Sequence, residues 1–161
     1  MVAFLANIVI IKYSNLRMHV EFENYQIKTR IEKDRKQVFD IVRNKWIILT
    51  PEEQVRQVWL HFLVFTLKIS KQIIAVEKQL MVNQKIKRFD ICVFKNDAPH
   101  LLIECKAPQI EIGIPTLEQM SIYNSALNCS NYILTNGIHH FGLGWKKEKL
   151  LFFKDIQELF S

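Results

Sequence analysis

The period of the apolar residues changes along this chain, and each change marks an element. Between residues 25 and 50 they fall in short runs: Tyr25-Gln26-Ile27 opens one strand, residues 38–42 form a second, and residues 46–49 a third, with Arg43-Asn44-Lys45 as a tight turn. At Thr50 the period lengthens. Thr50-Pro51-Glu52-Glu53 reads as a capping box, with Thr50 as N-cap, Pro51 at the first helical position and Glu53 at the third. Val55, Val58, Trp59, Phe62 and Leu63 follow at helical spacing, which predicts an amphipathic helix over residues 51–66. Strands are predicted at residues 73–80, 89–94 and 101–106, with breaks at Val82-Asn83-Gln84-Lys85, at Lys95-Asn96-Asp97-Ala98-Pro99 and at Pro108. Leu117, Met120, Tyr123 and Leu127 lie along one face of a second helix, residues 115–127. A strand at 132–135, stopped by Asn136-Gly137, and two short strands near 141–145 and 150–153 complete the chain. Helix, three strands, helix and strand, with a small β extension at each end, make an α/β sandwich around a mixed sheet.

A chain of 161 residues buries one core without staples, so residues 24–161 are expected to form a single domain. Residues 1–23 read as an N-terminal extension or edge strand. The apolar start, residues 1–11, is too short to span a bilayer and lacks the basic flank of a signal peptide; Met18 is an alternative initiator. The three cysteines, Cys92, Cys105 and Cys129, contain no CxxC spacing, which disfavours a disulfide scaffold or structural zinc and points to a reducing cytoplasm. Lys and Arg outnumber Asp and Glu by nine to five over residues 1–50 and nine to six over 51–110, and fall short, four to five, over 111–161. The basic balance suits a polyanionic partner, although charge alone decides little.

Leu101-Leu102-Ile103-Glu104-Cys105-Lys106 carries the most chemistry. Strand alternation puts Glu104 and Lys106 on one face and Cys105 with Ile103 on the other. Two charged side chains on so apolar a strand are costly unless they pair or bind something, so they form a salt bridge or part of a site. Asp90 starts the preceding strand, and a hairpin turning at 95–99 brings it beside Glu104. Two carboxylates and a lysine make a pocket for a hard divalent cation, which takes one or two carboxylates plus water and phosphate oxygens.

Asp90 followed by Glu104-Cys105-Lys106 resembles the D…(E)xK core of the PD-(D/E)xK nuclease superfamily. Gln119 and Tyr123, at i and i+4 on the following helix, resemble the QxxxY element of the nuclease domain in the R subunit of type I restriction enzymes. Thr50-Pro51-Glu52-Glu53-Gln54-Val55-Arg56-Gln57 is similar to that family's first helix, and Thr135-Asn136-Gly137 also fits. The resemblance covers residues 24–155 and is closest to the short, separately encoded members. It implies a restriction-endonuclease-like three-layer core: a mixed sheet flanked by helices. It also implies Mg²⁺- or Mn²⁺-dependent hydrolysis of DNA phosphodiesters in a restriction-modification or related defence system. Asp90 and Glu104 would be metal ligands and Lys106 the catalytic lysine, while Gln119 and Tyr123 would support the site or touch DNA. Position 89 is Phe where the family has Pro, and there is no GxxxxGK[ST] phosphate loop, so a translocating motor or a methyltransferase would be a separate subunit. A homodimer is a further option.

Other residues carry two readings each. Glu77 is an additional acidic member of the site or a solvent-facing strand residue. Glu53 is the capping partner. Arg56 binds phosphate or a carboxylate, or lies on the surface. Lys85, Lys87 and Arg88 are phosphate contacts beside a nuclease centre, or a solvated turn. His139 and His140 point to opposite faces and do not converge on a metal. Converging carboxylates repel, so neutralising Asp90 or Glu104 is expected to leave the metal-free fold unharmed or stabilised. The alternative to an enzyme is a non-catalytic nuclease-like module that binds nucleic acid or assembles a complex, since fold does not fix function.

Overall fold

The structure is a computed structural model that describes residues 16–82, 85–113, 129–146 and 149–160. Three antiparallel strands come first: β1 (Thr29–Glu32), β2 (Arg35–Asp40) and β3 (Lys45–Ile48). Lys33 and Asp34 turn the first hairpin with positive φ, 49° and 59°, a pair of left-handed residues whose twist matches the flanking strands. The expected strand at Tyr25-Gln26-Ile27 is not formed, because local bonds from Tyr25 N to the Glu23 carbonyl and from Ile27 N to the Tyr25 carbonyl, both 3.0 Å, curl the chain there. Arg43-Asn44 does turn the second hairpin: Asp40 Oδ1 accepts from Val42 N (2.9 Å) and Arg43 N (2.6 Å), and Asn44 takes φ 52°.

Helix α1 (Pro51–His61) begins at Thr50, whose hydroxyl accepts from Glu53 N at 3.0 Å. Only half of the capping box forms, since the Glu53 side chain is drawn to arginines instead. A π-helical turn, Phe62–Thr66, continues α1 to the predicted end. Residues 73–80 are not one strand. Glu77 adopts φ 51° and splits them into β4 (Ile74–Val76) and β5 (Gln79–Val82), and β5 pairs with β6 (Lys85–Arg88) in a separate hairpin.

Six strands form the central sheet. β7 (Ile91–Lys95) and β8 (Ala98–Cys105) make an antiparallel hairpin through Asn96 and Asp97, again with positive φ. β9 (Asn131–Thr135) lies parallel to β8, and β10 (His140–Lys146) and β11 (Lys149–Phe153) follow antiparallel, giving the order β11-β10-β9-β8-β7-β4. The C-terminal β extension is therefore a continuation of the central sheet. The parallel step from β8 to β9 requires a crossover; the helix predicted at 115–127, with Gln119 and Tyr123, lies outside the described residues.

Alternation along the strands builds two cores. Ile91, Val93, Leu101, Ile103 and Cys105 face Val55, Trp59, Leu60 and Leu63, while Cys92, Leu102, Leu134, Phe141 and Leu143 pack on the opposite side. At the N-terminal side, Met18 is buried, and its amide donates to the His140 carbonyl at 2.7 Å. No helix among the described residues is long and apolar enough to cross a membrane.

Candidate active site

The strand hairpin does what its sequence predicts. Ile91 pairs with Ile103, so Asp90, one residue before β7, sits opposite Glu104 at the end of the sheet. Lys106 Nζ donates to Glu104 Oε1 at 2.7 Å, on the same side of the strand. Cys105 points the other way and is fully buried, which pushes its thiol well above the usual range.

Asp90 is held more tightly than convergence with Glu104 alone would require. Its Oδ1 accepts from Arg56 Nη2 at 2.7 Å and its Oδ2 from Cys105 N at 2.7 Å. Arg56 is buried, 4% exposed, and reaches the sheet end from α1. It also meets Glu53, Glu77 (3.3 Å) and Glu52 (3.3 Å). Burial opposes its charge, but Asp90 and Glu53 more than compensate and hold it firmly protonated. Arg56 is thus a carboxylate partner, enclosed away from any phosphate.

A second arginine extends the network. Arg43 binds Asp40 (2.8 Å), Glu53 (3.4 Å) and Glu77. Gln57 donates to Asp40 Oδ2 and Glu53 Oε1, each at 2.9 Å. Arg88 also donates to Glu77. Glu77 is therefore neither free nor solvent-facing. Burial would raise its carboxyl, yet Arg56, Arg43 and Arg88 together hold it below the usual range. Its left-handed backbone is what aims it at them. The backbones of Lys85 and Lys87 belong to β6.

Glu104 and Lys106 differ electrostatically from this paired cluster. Burial, and next the charge of Asp90, raise the Glu104 carboxyl, and the bond from Lys106 only partly offsets them. Burial disfavours the Lys106 cation, but Glu104 outweighs it and raises the ammonium. Both side chains still reach solvent, 35% and 32% exposed. The expectation that neutralising Asp90 is harmless needs correction, because Asp90 is clamped by two donors.

Among the described residues no group of three or more His, Cys, Asp or Glu is arranged to hold a metal ion. A hard divalent cation does not need such a group. Two carboxylates with water and phosphate suffice, and each oxygen of Asp90 retains a second lone pair beyond its one hydrogen bond. The charge on Glu104, disfavoured without a cation, is the state that a cation relieves. Asp90 and Glu104 offer the type of oxygen donor that Mg²⁺ or Mn²⁺ takes.

A family model for the N terminus of the type I restriction enzyme R protein (HSDR_N) matches residues 51–159, from the first residue of α1 to the last turn. The chain belongs to that family. No curated protein and no solved structure matches it. The family segment contains Asp90, Glu104 and Lys106, together with Arg56 and Glu77, whereas Asp40 and Arg43 precede it. In this R protein N-terminal domain, sequence reasoning missed the roles of Asp40, Arg43 and Gln57. The one available signal was helical: Glu53, Arg56 and Gln57 share the stripe of the buried Leu60.

Proposed function

We propose that this chain is a metal-dependent DNA endonuclease of a restriction-modification or related defence system, hydrolysing phosphodiesters in the cytoplasm. The observation that carries the reading is Asp90 facing Glu104 across one strand pair, with Lys106 on Glu104, in a family of restriction R proteins. Asp90 and Glu104 would hold Mg²⁺ or Mn²⁺, which when bound supplies charge stabilisation and a more acidic water. Arg56 and the Cys105 amide hold Asp90 in position. Lys106 keeps its proton and, after bonding Glu104, has two further N–H groups to offer a phosphate oxygen or the attacking water. Gln119 and Tyr123 are assigned to site support or DNA contact by the family resemblance.

Plasmid nicking with Mg²⁺ or Mn²⁺ tests this. Wild type should convert supercoiled to open-circular DNA, and Lys106→Ala should be slower by about 10²-fold or more, the usual cost of losing one charge-stabilising donor. Equal nicking by both proteins overturns the assignment. A second reading, a non-catalytic DNA-binding or assembly module, draws on Arg56, which already serves Asp90 as a counterion. It expects DNA binding with no metal-dependent nicking by either protein.

A further inference from the structure

The three-stranded sheet precedes the family segment and carries an outward face that the cleavage centre does not use. Cross-strand register separates its two faces. Val38 and Asp40 are buried on the inner one. Opposite them, Arg30 pairs with Gln37, Gln37 with Ile48, Glu32 with Arg35, and Phe39 with Trp46, with Lys28 beside Phe39. The aromatic pair is edge-to-face at 5.3 Å, and the Arg30 guanidinium lies 4.4 Å from the Trp46 ring centre. Arg30 is further fixed by bonds to Gln37 (2.8 Å) and Glu32 (2.7 Å). An open depression of about 490 Å³ lies between Glu32, Lys33, Arg35, Gln37 and Ile48.

Charge decides what fits this face. On this face and at its β1–β2 turn, Lys28, Arg30, Lys33 and Arg35 are exposed, against Glu32 and Asp34, while Lys36 and Lys45 share the face of Val38 and Asp40. Among the described residues, Arg30 alone of these cations has a carboxylate partner. Such an excess on a short, rigid sheet matches a row of phosphates. The inner end of the sheet is tied to the cleavage centre, because Asp40 binds Arg43 and Gln57, and Arg43 shares Glu53 and Glu77 with Arg56. Five residues of strand, on the order of 17 Å, separate Asp40 from Arg35.

We propose that the outward face of β1–β2–β3 docks the phosphate backbone of duplex DNA through Lys28, Arg30 and Arg35, outside the cleavage centre. The choice of DNA as the polyanion rests on the nuclease reading. The stack on Trp46 holds Arg30 ready without ordering cost at binding, and the contact carries no base specificity.

The test is binding of the full chain, in EDTA, to a labelled duplex of about 20 base pairs by fluorescence anisotropy between ~50 and ~200 mM salt. The double variant Lys28→Gln/Arg35→Gln should bind more weakly, and the slope of log affinity against log salt should fall by about two. Arg30→Gln should weaken binding as well, and Lys154→Gln should match wild type. Binding and slope unchanged in the double variant overturn the proposal, as does failure of wild type to bind duplex at the lowest salt. DNA affinity retained while association with a partner subunit is lost would assign the face to protein and overturn it too. Nicking in Mg²⁺ by Lys106→Ala reads the cleavage assignment separately, since no cleavage enters the EDTA measurement.

Discussion

Two isosteric substitutions at the candidate site should act with opposite signs. Both Asp90 oxygens accept from N–H groups, Oδ1 from Arg56 and Oδ2 from Cys105, each at 2.7 Å. An amide has one acceptor oxygen, so in Asp90→Asn the NH₂ must face one of those donors. The variant loses a charge-assisted bond, ~1.5–3 kcal/mol, and strands a buried donor, for a total of about 2–4 kcal/mol. Arg56 keeps Glu53 and Glu77, which sets the upper bound. Glu104→Gln is different. Among the described residues Glu104 has one partner, Lys106, and a pair that reaches solvent on both sides is worth ~0–1 kcal/mol. Burial and Asp90 oppose the Glu104 charge, so the amide should leave stability within about 1 kcal/mol of wild type, on the stabilising side. The pH sign follows: with its carboxyl raised in the fold, Glu104 costs stability above its folded value. That cost is relieved as pH falls through the folded value towards the ordinary carboxylate range, and Glu104→Gln removes this segment. Urea unfolding at neutral pH in EDTA, read by tryptophan fluorescence, measures both variants. Asp90→Asn as stable as wild type, or Glu104→Gln less stable than Asp90→Asn, would refute the reasoning. Mg²⁺ at about 100 times its Kd should then add ~2.7 kcal/mol to wild type and much less to either variant.

The remaining predictions concern the sheet. Thr135 Oγ1 accepts from Trp59 Nε1 (3.2 Å) and Gly137 N (3.0 Å), so its own proton goes to His140 Nδ1 at 2.8 Å, which makes His140 neutral with its proton on Nε2. Burial drops the His140 imidazole to about 4, so the unfolded chain is protonated first. Stability should be lost as pH falls from the ordinary value of about 6.5 towards 4, by up to about 3 kcal/mol; a His140→Gln variant whose acid profile matched wild type would contradict this. At Gly144 an added Cβ would collide with the Phe153 ring and stand 2.8 Å from Asn131 Oδ1. Gly144→Ala should therefore cost ~1–3 kcal/mol in urea midpoint.

What was legible in the fold was whatever local chemistry decides. Thr50 and Pro51 start α1 whatever lies around them, and Asn96-Asp97 turns the β7–β8 hairpin because both residues tolerate left-handed backbone. Glu77 shows the limit. As a sequence, residues 73–80 are a good strand, and nothing local asks Glu77 to take φ 51°. Arginines from α1, from the β2–β3 turn and from β6 converge on its carboxylate, and only the assembled structure places them together. Tyr25-Gln26-Ile27 was overruled likewise: Tyr25 is engaged by the Thr66 hydroxyl at 2.6 Å, at the far end of the helical segment.

The site divides along the same line. Asp90, Glu104 and Lys106 were legible because charge on so apolar a hairpin is itself anomalous, and strand parity says which side chains share a side. Their supporting residues look ordinary in sequence: Glu53, Arg56 and Gln57 pass for the polar side of an amphipathic helix. Yet all three are buried, at 6%, 4% and 0% exposure. Burying Arg56, and half-burying Arg43, with several carboxylates is expensive, and apolar replacements of the same volume are often as stable or more so. The network is thus a poor way to gain stability, but it has a consequence that apolar packing lacks. Arg56 supplies a permanent cation at Asp90, which fixes the orientation of that carboxylate beside Glu104 before any ligand arrives. Arg43 holds Glu77, which in turn holds Arg56, so the position of Asp90 is determined through α1, the β2–β3 turn and the β4–β5 junction.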